Sequence, residues 1–419
     1  MSDLRFPDQN VVIPQDSRSF QIEKDVEAIT AEMNATGLRV NAATWLKNVT
    51  KKKEESDAAT EKCRQICGDP KFRPNASADL AHQFYAVRGH QATRKTKRGG
   101  DSMDKEVISA IAGKGDELAL AVQPARRLIY ELGQLKKWEE FAKAGACRPN
   151  FDQFGTPMAR YTCENPALQN RIVEIRETIE PAQGYTFLSL DMAQAEYVVW
   201  ASLSQDPILS MAFIDGTDFH QMMWDQIADA VDASLLREAG RPAGKMVNFA
   251  LLYLMQKFAL APRLGTSQEI AEALIQKWES RAVHAVKFRD SFIDSAVKAG
   301  RTSTHFGRMR FFAGVSALRD GSEKHEIVKT MWHHLISGTA AELMKIKMKR
   351  IRDALREKDL RKTTYFSINM HDEIILQVKD EELEAVKEVA TEAFSRDHEG
   401  FLPFAVTVKT GKNWLETSK

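Results

Sequence analysis

The sequence predicts an α+β protein in which an all-helical first third is followed by a domain built on an antiparallel sheet. Apolar residues recur at helical spacing through most of residues 22–142. After residue 180, short apolar runs typical of strands alternate with helical segments. Two of these runs, 365–370 and 374–378, are separated only by His371-Asp372-Glu373 and predict an antiparallel hairpin. This combination of helices with an antiparallel sheet defines the class.

The first third is predicted to be helical with basic edges. Residues 1–20 are polar, contain two prolines and predict an irregular lead-in. Apolar residues at helical spacing run from Ile22 to Met33, and Gly37 ends that helix. Further helices are predicted over residues 42–66 and 78–87, with two more over 106–142.

The chain changes character near Cys147, where polar and turn residues dominate as far as Asn170. The apolar run Phe187-Leu188-Ser189-Leu190 then predicts a buried strand that ends at Asp191. The remaining predictions are helices through residue 231 and over 240–259 and 267–299, a turn or hairpin over 300–312, a helix over 324–357, a hairpin over 365–378, a helix over 380–396 and a strand over 403–409.

Composition is that of an ordinary globular chain. Its 419 residues suffice for two or three domains. The net charge of +1 gives no overall positive field that would attract a nucleic acid, so any such binding must use local basic patches. The four cysteines are too scattered for a zinc site and are expected to be reduced thiols. We find no signal peptide and no apolar run of membrane-spanning length, so a cytoplasmic location is expected.

Two aspartates stand at predicted strand ends. Asp191 either caps the following helix or holds a metal, and Asp372 lies at the tip of the predicted hairpin. Two aspartates on adjacent strand ends can hold two Mg²⁺ ions in the geometry of in-line phosphoryl transfer. The metal interpretation therefore requires that these two distant residues meet in space.

Two polar segments could contact a nucleic acid. The loop 94–100 is basic and glycine-ended, and is either a solvated turn or a clamp on a phosphate backbone. The irregular segment before the first strand suits hydrogen bonds to sugars and base edges. The residues concerned are Arg94, Lys95, Lys97, Arg98, Arg160, Asn165, Gln169 and Asn170.

One predicted helix combines cations with aromatic residues. Arg241, Lys245, Phe249 and Tyr253 recur every four residues and form one stripe. Cations in the first turns oppose the helix dipole, and a docked phosphate would reverse that cost. The alternative is an amphipathic helix with core aromatic residues and solvated cations. Glu196, soon after Asp191, is equally compatible with a helix surface.

Together these segments resemble the DNA polymerases of family A, the bacterial polymerase I class, from about residue 22 to Trp414. Asp191-Met-Ala-Gln-Ala-Glu196 resembles motif A, RPAGKMVNFALLY from Arg241 to Tyr253 resembles motif B, and Met370-His371-Asp372-Glu373 resembles motif C. Further matching segments follow in family order: Arg160-Tyr-Thr, Asn165-Pro-Ala-Leu-Gln-Asn170, Asp218-Phe-His220, Phe306-Gly-Arg308, Ser337-Gly-Thr-Ala-Ala341 and Gly411-Lys-Asn-Trp414.

The resemblance implies a right-hand polymerase fold with a helical thumb, an antiparallel-sheet palm and helical fingers. The implied division is a lead-in over 1–21, a thumb over 22–145, a palm over 146–210 and 323–419, and fingers over 211–322. It also implies that Asp191, Asp372 and the backbone carbonyl of Met192 bind two Mg²⁺ ions, with Mn²⁺ as a substitute. Glu373 would support this metal site.

The resemblance implies substrate contacts as well. Lys245 would bind phosphate and protonate pyrophosphate, Phe249 would stack on the sugar, Tyr253 would guard the templating position, and Glu196 would exclude a ribose 2′-hydroxyl. The implied nucleotide-binding residues are Gln194, Glu196, His220, Arg241, Lys245, Phe249 and Tyr253. The implied DNA-binding residues are Arg94, Lys95, Lys97, Arg98, Arg160, Asn165, Gln169, Asn170, Arg308 and His371.

Several positions depart from the family pattern. Leu254 replaces the glycine after Tyr253, which predicts a stiffer helix end. Val198 replaces an arginine, and Pro242 is unusual within motif B but is tolerable at a helix start. The family has Arg, Asn and Gln at three positions that read the minor groove of the nascent base pair. This chain has Lys329, His333 and Ser337 there, so its sensing of mismatches is expected to differ.

The function implied is a template-directed DNA polymerase that extends a primer 3′ end with deoxynucleoside triphosphates. No exonuclease-like Asp-x-Glu strand precedes the thumb, so synthesis without intrinsic proofreading is expected. The protein is expected to be a monomer in a bacterial or phage-infected cell, acting in phage or mobile-element replication, or in repair or translesion synthesis. A single-subunit RNA polymerase and a non-catalytic DNA-binding derivative are the alternatives. Glu196 argues against the first, and Asp191, Asp372 and Lys245 argue against the second.

Overall fold

The computed structural model describes residues 4–6, 10–96, 99–169, 172–230, 240–396 and 399–418. The helices are α1 (Arg18–Ala35), α2 (Ala42–Cys67), α3 (Ser77–Ala81), α4 (Lys105–Ala112), α5 (Glu117–Lys136), α6 (Glu139–Ala144), α7 (Val173–Thr178), α8 (Ala195–Ser204), α9 (Pro207–Ile214), α10 (Phe219–Ile227), α11 (Gly240–Leu252), α12 (Lys257–Leu264), α13 (Gln268–Arg281), α14 (Val283–Ala299), α15 (Ser322–Glu357), α16 (Leu383–Ser395) and α17 (Trp414–Thr417). A π-helical segment (His82–Val87) follows α3, and short 3₁₀ turns lie at Ala228–Ala230, Val315–Ala317 and Asp380–Glu382.

The strands are short apart from those of one sheet. They are β1 (Leu4–Phe6), β2 (Val11–Ile13), β3 (Leu38–Val40), β4 (Ala146–Cys147), β5 (Asn150–Asp152), β6 (Thr162–Glu164), β7 (Ile179–Glu180), β8 (Tyr185–Ala193), β9 (Arg301–Ser303), β10 (Met309–Phe311), β11 (Thr364–Met370), β12 (Glu373–Lys379) and β13 (Ala405–Gly411). The predicted α+β class is therefore confirmed.

The chain divides into two compact units. Unit 1 comprises Met1–Gly37, Arg148–Gln169 and Gln183–Gly411, and unit 2 comprises Leu38–Cys147, Asn170–Ala182 and Lys412–Lys419. Each is considered by itself. In the described part of the chain, no helix combines the length and the apolarity that a membrane span requires.

Unit 1 is organised on an antiparallel sheet with strand order β11-β12-β8-β13. The strand β8 lies between β12 and β13, and its residues Phe187, Leu188 and Leu190 are fully buried. β8 continues two residues beyond Asp191, so the prediction that Asp191 ends the strand is wrong. Pairing with β13, which contributes Thr407 opposite Asp191, extends the ladder.

A second sheet of unit 1 has the order β1-β2-β10-β9, and it corrects the predicted irregular lead-in. Val11 and Ile13 are buried and pack with Phe20. The strand β2 pairs with β10, almost three hundred residues later, through the partners Met309 and Val12. A three-residue strand carries no clear local pattern, so its existence depends on that distant partner.

The predicted single helix over 240–259 is wrong, because α11 ends at Leu252 and α12 begins at Lys257. Leu254 adopts a φ of +50°, and the amide of Met255 donates to the carbonyl of Ala250 at 2.7 Å. That hydrogen-bond pattern closes a helix through a left-handed residue, a position usually occupied by glycine. Leucine therefore stands in a conformation that costs it about 1–2 kcal/mol.

Unit 2 is built on the packing of α2 against α5. Its core comprises Cys63, Phe72, Leu80, Phe84 and neighbours from α4 and α5. The predicted α2 is confirmed to within a residue, whereas residues 106–142 form α4, α5 and α6 rather than two helices. All four cysteines are free.

Candidate active site

The sheet of unit 1 brings the two predicted carboxylates together. Glu373, the first residue of β12, is the register partner of Asp191 on β8. The amide of Met192 donates to the carbonyl of Asp372 at 2.9 Å. His371 and Asp372 are the two-residue link between β11 and β12, and His371 has a φ of +63°. Asp191 on β8 and Asp372 in the link that precedes β12 therefore lie next to each other at one end of the sheet.

Both carboxyl groups are partly buried and hold protons more tightly than usual. Burial raises the pKa of Asp372 to about 7, with the charges of Glu196 and Asp191 adding to the effect and Arg160 opposing it. Burial also raises the pKa of Asp191, against the charge of Lys409. Two anionic carboxylates held close in a partly desolvated place are unfavourable unless a cation is near.

The donor set fits a hard divalent cation. Mg²⁺ is usually held by one or two carboxylates with water and substrate phosphates completing its octahedron. Asp191 and Asp372 supply two such carboxylates, and Met192 supplies a backbone carbonyl on the same strand. Among the described residues, no group of three or more His, Cys, Asp or Glu side chains could form a closed metal cage. The arrangement therefore suits an open site that binds metal together with substrate.

Glu373 is engaged by a residue that the sequence did not single out. Ser189 Oγ donates to Glu373 Oε1 at 2.5 Å. Ser189 precedes Asp191 by two residues on β8, so both side chains lie on the same face of the strand. The contact anchors the first residue of β12, directly after Asp372. The supporting role of Glu373 stays a prediction.

A cavity of about 250 Å³ in unit 1 extends between Asp372 and α11. It is lined by Gln194, Ala195, Glu196, Tyr197, His220, Arg241, Lys245, Phe249, Leu252 and Asp372. Lys245 Nζ lies 5.8 Å from the centroid of the Phe249 ring. Phe249 in turn stacks on Tyr253, with ring centroids 5.9 Å apart. The predicted stripe on α11 therefore faces this cavity, with cations towards the start of the helix and aromatic rings towards its end.

His220 is held as a neutral ring in one tautomer. Trp278 Nε1 donates to Asn248 Oδ1 at 2.8 Å, so the Asn248 amide nitrogen faces His220 Nδ1 at 3.0 Å. An amide nitrogen can only donate, hence Nδ1 accepts and Nε2 carries the proton. Burial, aided by the charges of Arg241 and Lys245, lowers the pKa of His220 to about 4. His220 is therefore a neutral Nε2–H donor at physiological pH.

The start of α11 is fixed against α10 by a glycine and an ion pair. A Cβ at Gly244 would lie 2.4 Å from the carbonyl oxygen of His220 and 2.8 Å from Trp224 Cβ. Only glycine permits this approach. Arg241 Nε donates to Asp218, which also caps α10 through the amide of His220 at 3.0 Å. The sequence analysis missed the role of Gly244.

Glu196 is bound on both carboxylate oxygens. Arg160 Nη2 lies 2.8 Å from Oε1, and Ser337 Oγ donates to the same oxygen. Tyr253 OH donates to Oε2 at 2.6 Å. Glu196 is only 7% exposed. The ambiguous glutamate of the sequence is therefore part of the cavity wall rather than a free helix surface, and the donor from Ser337 was not foreseen.

The predicted DNA-binding residues differ in their exposure and in their contacts within the protein. Asn165 and His371 are exposed. Gln169 Nε2 donates to the carbonyl of Tyr161 at 2.7 Å, and Arg160 is engaged by Glu196. Lys97, Arg98 and Asn170 lie outside the described residues.

In unit 2, the basic loop is balanced by acidic neighbours. Arg94 Nη1 lies 3.2 Å from Asp104 and also pairs with Glu106, and Lys95 Nζ lies 2.5 Å from Asp101. These exposed pairs are weak and can be exchanged for a phosphate contact at little cost. The clamp and the solvated turn therefore both stay open for this loop.

The prediction that the Arg308 side chain contacts DNA is wrong. Arg308 is fully buried, pairs with Glu23, and has Nε 3.3 Å from Glu342 Oε1. Lys345 Nζ lies 2.7 Å from the same Glu23. A buried guanidinium in such a cluster fastens α1, α15 and the β9–β10 hairpin together, because exposing it would remove the cation paired with Glu342 and one of the two cations paired with Glu23.

The sheet of unit 1 places a pair of carboxylates beside a helix that begins with two cations. Residues 43–416 match the model of the protein family described as DNA polymerase family A. The chain belongs to DNA polymerase family A.

Several relatives are similar over nearly the whole chain. The thermostable DNA polymerase I of Thermus aquaticus is 26% identical over 95% of this chain and 48% of its own length. DNA polymerase I of Chloroflexus aurantiacus is also 26% identical, over 95% of this chain and 43% of its own length. The chain spans about half the length of the curated relatives it matches.

A solved structure shares the fold. The POL domain of Pol1 from M. smegmatis, in complex with a DNA primer-template and dNTP, superposes with a TM-score of 0.84 at 22% identity. The match covers 95% of this chain and 70% of that chain. The predicted right-hand fold is confirmed by this likeness.

Proposed function

We propose that the protein is a template-directed DNA polymerase that extends a primer 3′ end with deoxynucleoside triphosphates. The observation that carries this is the proximity of Asp191 on β8 to Asp372 in the adjacent β11–β12 link, beside a cavity walled by Arg241, Lys245 and His220. Membership of family A and relatives named DNA polymerase I support the substrate class.

In this mechanism Asp191 and Asp372, with the Met192 carbonyl, would hold two Mg²⁺ ions. Metal binding there would supply a lower pKa for the primer hydroxyl and charge neutralisation for the triphosphate and the leaving pyrophosphate. The protein positions the reactants and supplies fixed charge.

The start of α11 receives the phosphates. Lys245 and Arg241 attract the triphosphate, and the neutral His220 offers an Nε2–H hydrogen bond that adds no charge. The ammonium of Lys245 can pass its proton to the departing pyrophosphate. The ion pair between Arg241 and Asp218 must open or share its guanidinium when phosphate binds.

The opposite wall selects the sugar and orders the base. Phe249 offers its flat ring to the sugar, and Tyr253, stacked on Phe249, blocks the templating position until the correct base enters. Glu196 occupies the space that a 2′-hydroxyl would need and so favours deoxynucleotides. These three roles are one proposal about one cavity wall.

We assign the palm to the sheet with Asp191 and Asp372, the fingers to the helices that include α11, and the thumb to unit 2. The compactness of Leu38–Cys147 supports the thumb assignment, while α1 packs on β11 and joins the palm. The basic loop at Arg94 and Lys95, together with Arg160, Asn165, Gln169 and His371, is proposed to contact primer-template DNA.

Primer extension tests the proposal. Wild-type protein with a primed template, Mg²⁺ and dNTPs should extend the primer, and chelation by EDTA should stop it. Asp372→Asn should lose extension while keeping its affinity for primer-template, measured by fluorescence anisotropy. Asp353→Asn, which makes the same change on α15 where its carboxylate pairs with Lys349, is the matched control. Extension by Asp372→Asn, or extension with ribonucleotides only, would refute the proposal.

We further propose that this segment extends primers without removing mismatched ends, because the polymerase family accounts for residues 43–416. A primer with a mismatched, labelled 3′ end tests this: the label should remain, and its release in the presence of Mg²⁺ would contradict us. A role in phage or mobile-element replication, or in repair or translesion synthesis, stays a prediction.

A further inference from the structure

We propose that Ser337 is a positioning residue for sugar selection: its hydroxyl holds the Glu196 carboxylate in place so that ribonucleotides are excluded. This inference rests on the proposed polymerase function, which it deepens. It assigns to α15 a part in substrate choice, although Ser337 itself contacts no nucleotide. The cavity wall would thus be set from a helix outside the motifs that carry the chemistry.

The carboxylate of Glu196 can act as a steric barrier only if it does not rotate. Three donors restrain it: Arg160 and Ser337 on Oε1, and Tyr253 on Oε2. A glutamate side chain has three rotatable bonds, and each donor removes some of that freedom. Hydrogen bonds to an ionised group are stronger than neutral ones, so each restraint is substantial.

The three donors differ in how firmly they are held. Arg160 has a side chain that is 25% exposed and is itself a proposed DNA contact, so a primer would compete for its guanidinium. Tyr253 is the residue directly after α11 and precedes the left-handed Leu254. Ser337 alone comes from the interior of a long, buried helix. Its hydroxyl therefore remains on Oε1 when DNA engages Arg160.

The backbone that carries Ser337 is fixed by close packing. A Cβ at the next residue, Gly338, would lie 2.7 Å from Thr304 Cγ2 and 3.9 Å from the Cα of Met158. Ser337 is 3% exposed, and its neighbour Thr339 receives a hydrogen bond from the amide of His305 at 3.0 Å. Close packing at Gly338 therefore holds the backbone of α15 in place directly after Ser337, with the serine hydroxyl donating to Glu196.

The experiment compares single-nucleotide insertion of dATP and ATP opposite thymine, as the ratio of kcat/KM values. The variants are Ser337→Ala, Ser337→Thr and Glu196→Ala, with the double variant Ser337→Ala/Glu196→Ala. Thr339→Ala is the matched control, because it also removes a buried hydroxyl from α15. That hydroxyl accepts a hydrogen bond from the His305 amide and does not contact Glu196. Loss of one charged hydrogen bond predicts about a tenfold loss of discrimination in Ser337→Ala.

Three results are expected together. Ser337→Ala loses discrimination, Ser337→Thr recovers it because the donor returns, and Ser337→Ala has no further effect once Glu196 is alanine. A general loss of stability would instead lower insertion of both nucleotides and appear in Thr339→Ala as well.

Insertion of dATP by the wild type shows that the enzyme is active. Given that activity, unchanged discrimination in Ser337→Ala, or additive effects of Ser337→Ala and Glu196→Ala, would overturn the proposal. Failure of the proposed polymerase function is a different outcome, because wild-type protein would then insert neither nucleotide. That result also overturns the inference, since no substrate remains to be selected.

Discussion

Replacing Asp372 by asparagine should stabilise the metal-free protein while it removes catalysis. Burial and the charges of Glu196 and Asp191 raise the pKa of this carboxyl from 3.8 to about 7 in the folded state. The folded protein therefore binds the proton more tightly than the unfolded chain. Asparagine is neutral at every pH and resembles the protonated acid in shape, so it removes the cost of ionising Asp372 in place.

The sign and the size follow from proton linkage. Between pH 4 and pH 7 the folded state carries more protons than the unfolded state, so the stability of the wild type falls as pH rises through this window. At about 1.4 kcal/mol per pH unit, the full cost above pH 7 is about 4 kcal/mol. The substitution also loses the attraction of Arg160, and solvent reaches part of the group, so we expect a gain of about 2 kcal/mol, or roughly 2 °C in Tm for a chain of 419 residues.

The assay is urea and thermal unfolding in EDTA at pH 8 and pH 4. Asp372→Asn should exceed the wild type at pH 8, and the difference should vanish at pH 4, where both side chains are neutral. Mg²⁺ should then stabilise the wild type more than the variant, because only the wild type has both carboxylates.

A carboxyl group whose pKa is shifted in the opposite direction provides the control. Asp116 would have its pKa raised by burial, but hydrogen bonds from His90 and the Ala119 amide and the charge of Arg88 lower it. Asp116→Asn should therefore destabilise at pH 8. If Asp372→Asn proves no more stable than the wild type at pH 8 in EDTA, the electrostatic reading of the paired carboxylates is incorrect.

Three further changes test the wall formed by α11 and its end. Gly244→Ala should destabilise the protein by about 1–3 kcal/mol in urea unfolding and weaken dNTP binding, since its Cβ would meet the His220 carbonyl; wild-type behaviour would contradict the close approach. Phe249→Tyr should improve incorporation of dideoxynucleotides in chain-termination assays, whereas unaltered discrimination would count against sugar stacking. Leu254→Gly should raise unfolding stability by up to about 1 kcal/mol, because the relief of a left-handed leucine exceeds the entropy that glycine adds to the unfolded chain; a loss would show that the leucine side chain packs usefully.

The local sequence pattern correctly predicted helices and strands where the spacing of apolar residues was regular over many residues. The helix α2 and the β11–β12 hairpin were found to within about two residues because helical spacing and a polar tip between apolar runs are local properties. The strands β1 and β2 were missed because each is three residues long and is defined by β10, far away in the chain. The break after Leu252 was missed because a left-handed leucine has no signature when read alone.

Residue chemistry was predicted less evenly than the fold. Arg308 was assigned to DNA because Phe306-Gly-Arg308 resembles a family segment, and only the packing of Glu23, Glu342 and Lys345 around it revealed a buried ion cluster. Ser337 looked like a weakened minor-groove reader, whereas its short side chain reaches Glu196 instead.

The sequence by itself determined which side chains are chemically equipped to act: two aspartates at strand ends, a helix with cations and aromatic rings at four-residue spacing, and the order of segments that marks the family. Tertiary structure alone decided what each of them touches. Register across β8 and β12 brings Asp191 beside Asp372, Trp278 sets the tautomer of His220 through Asn248, and a serine on α15 reaches Glu196. Hydrogen bonds and close packing depend on distances of a few ångströms between segments remote in the chain, and a linear pattern does not encode those distances.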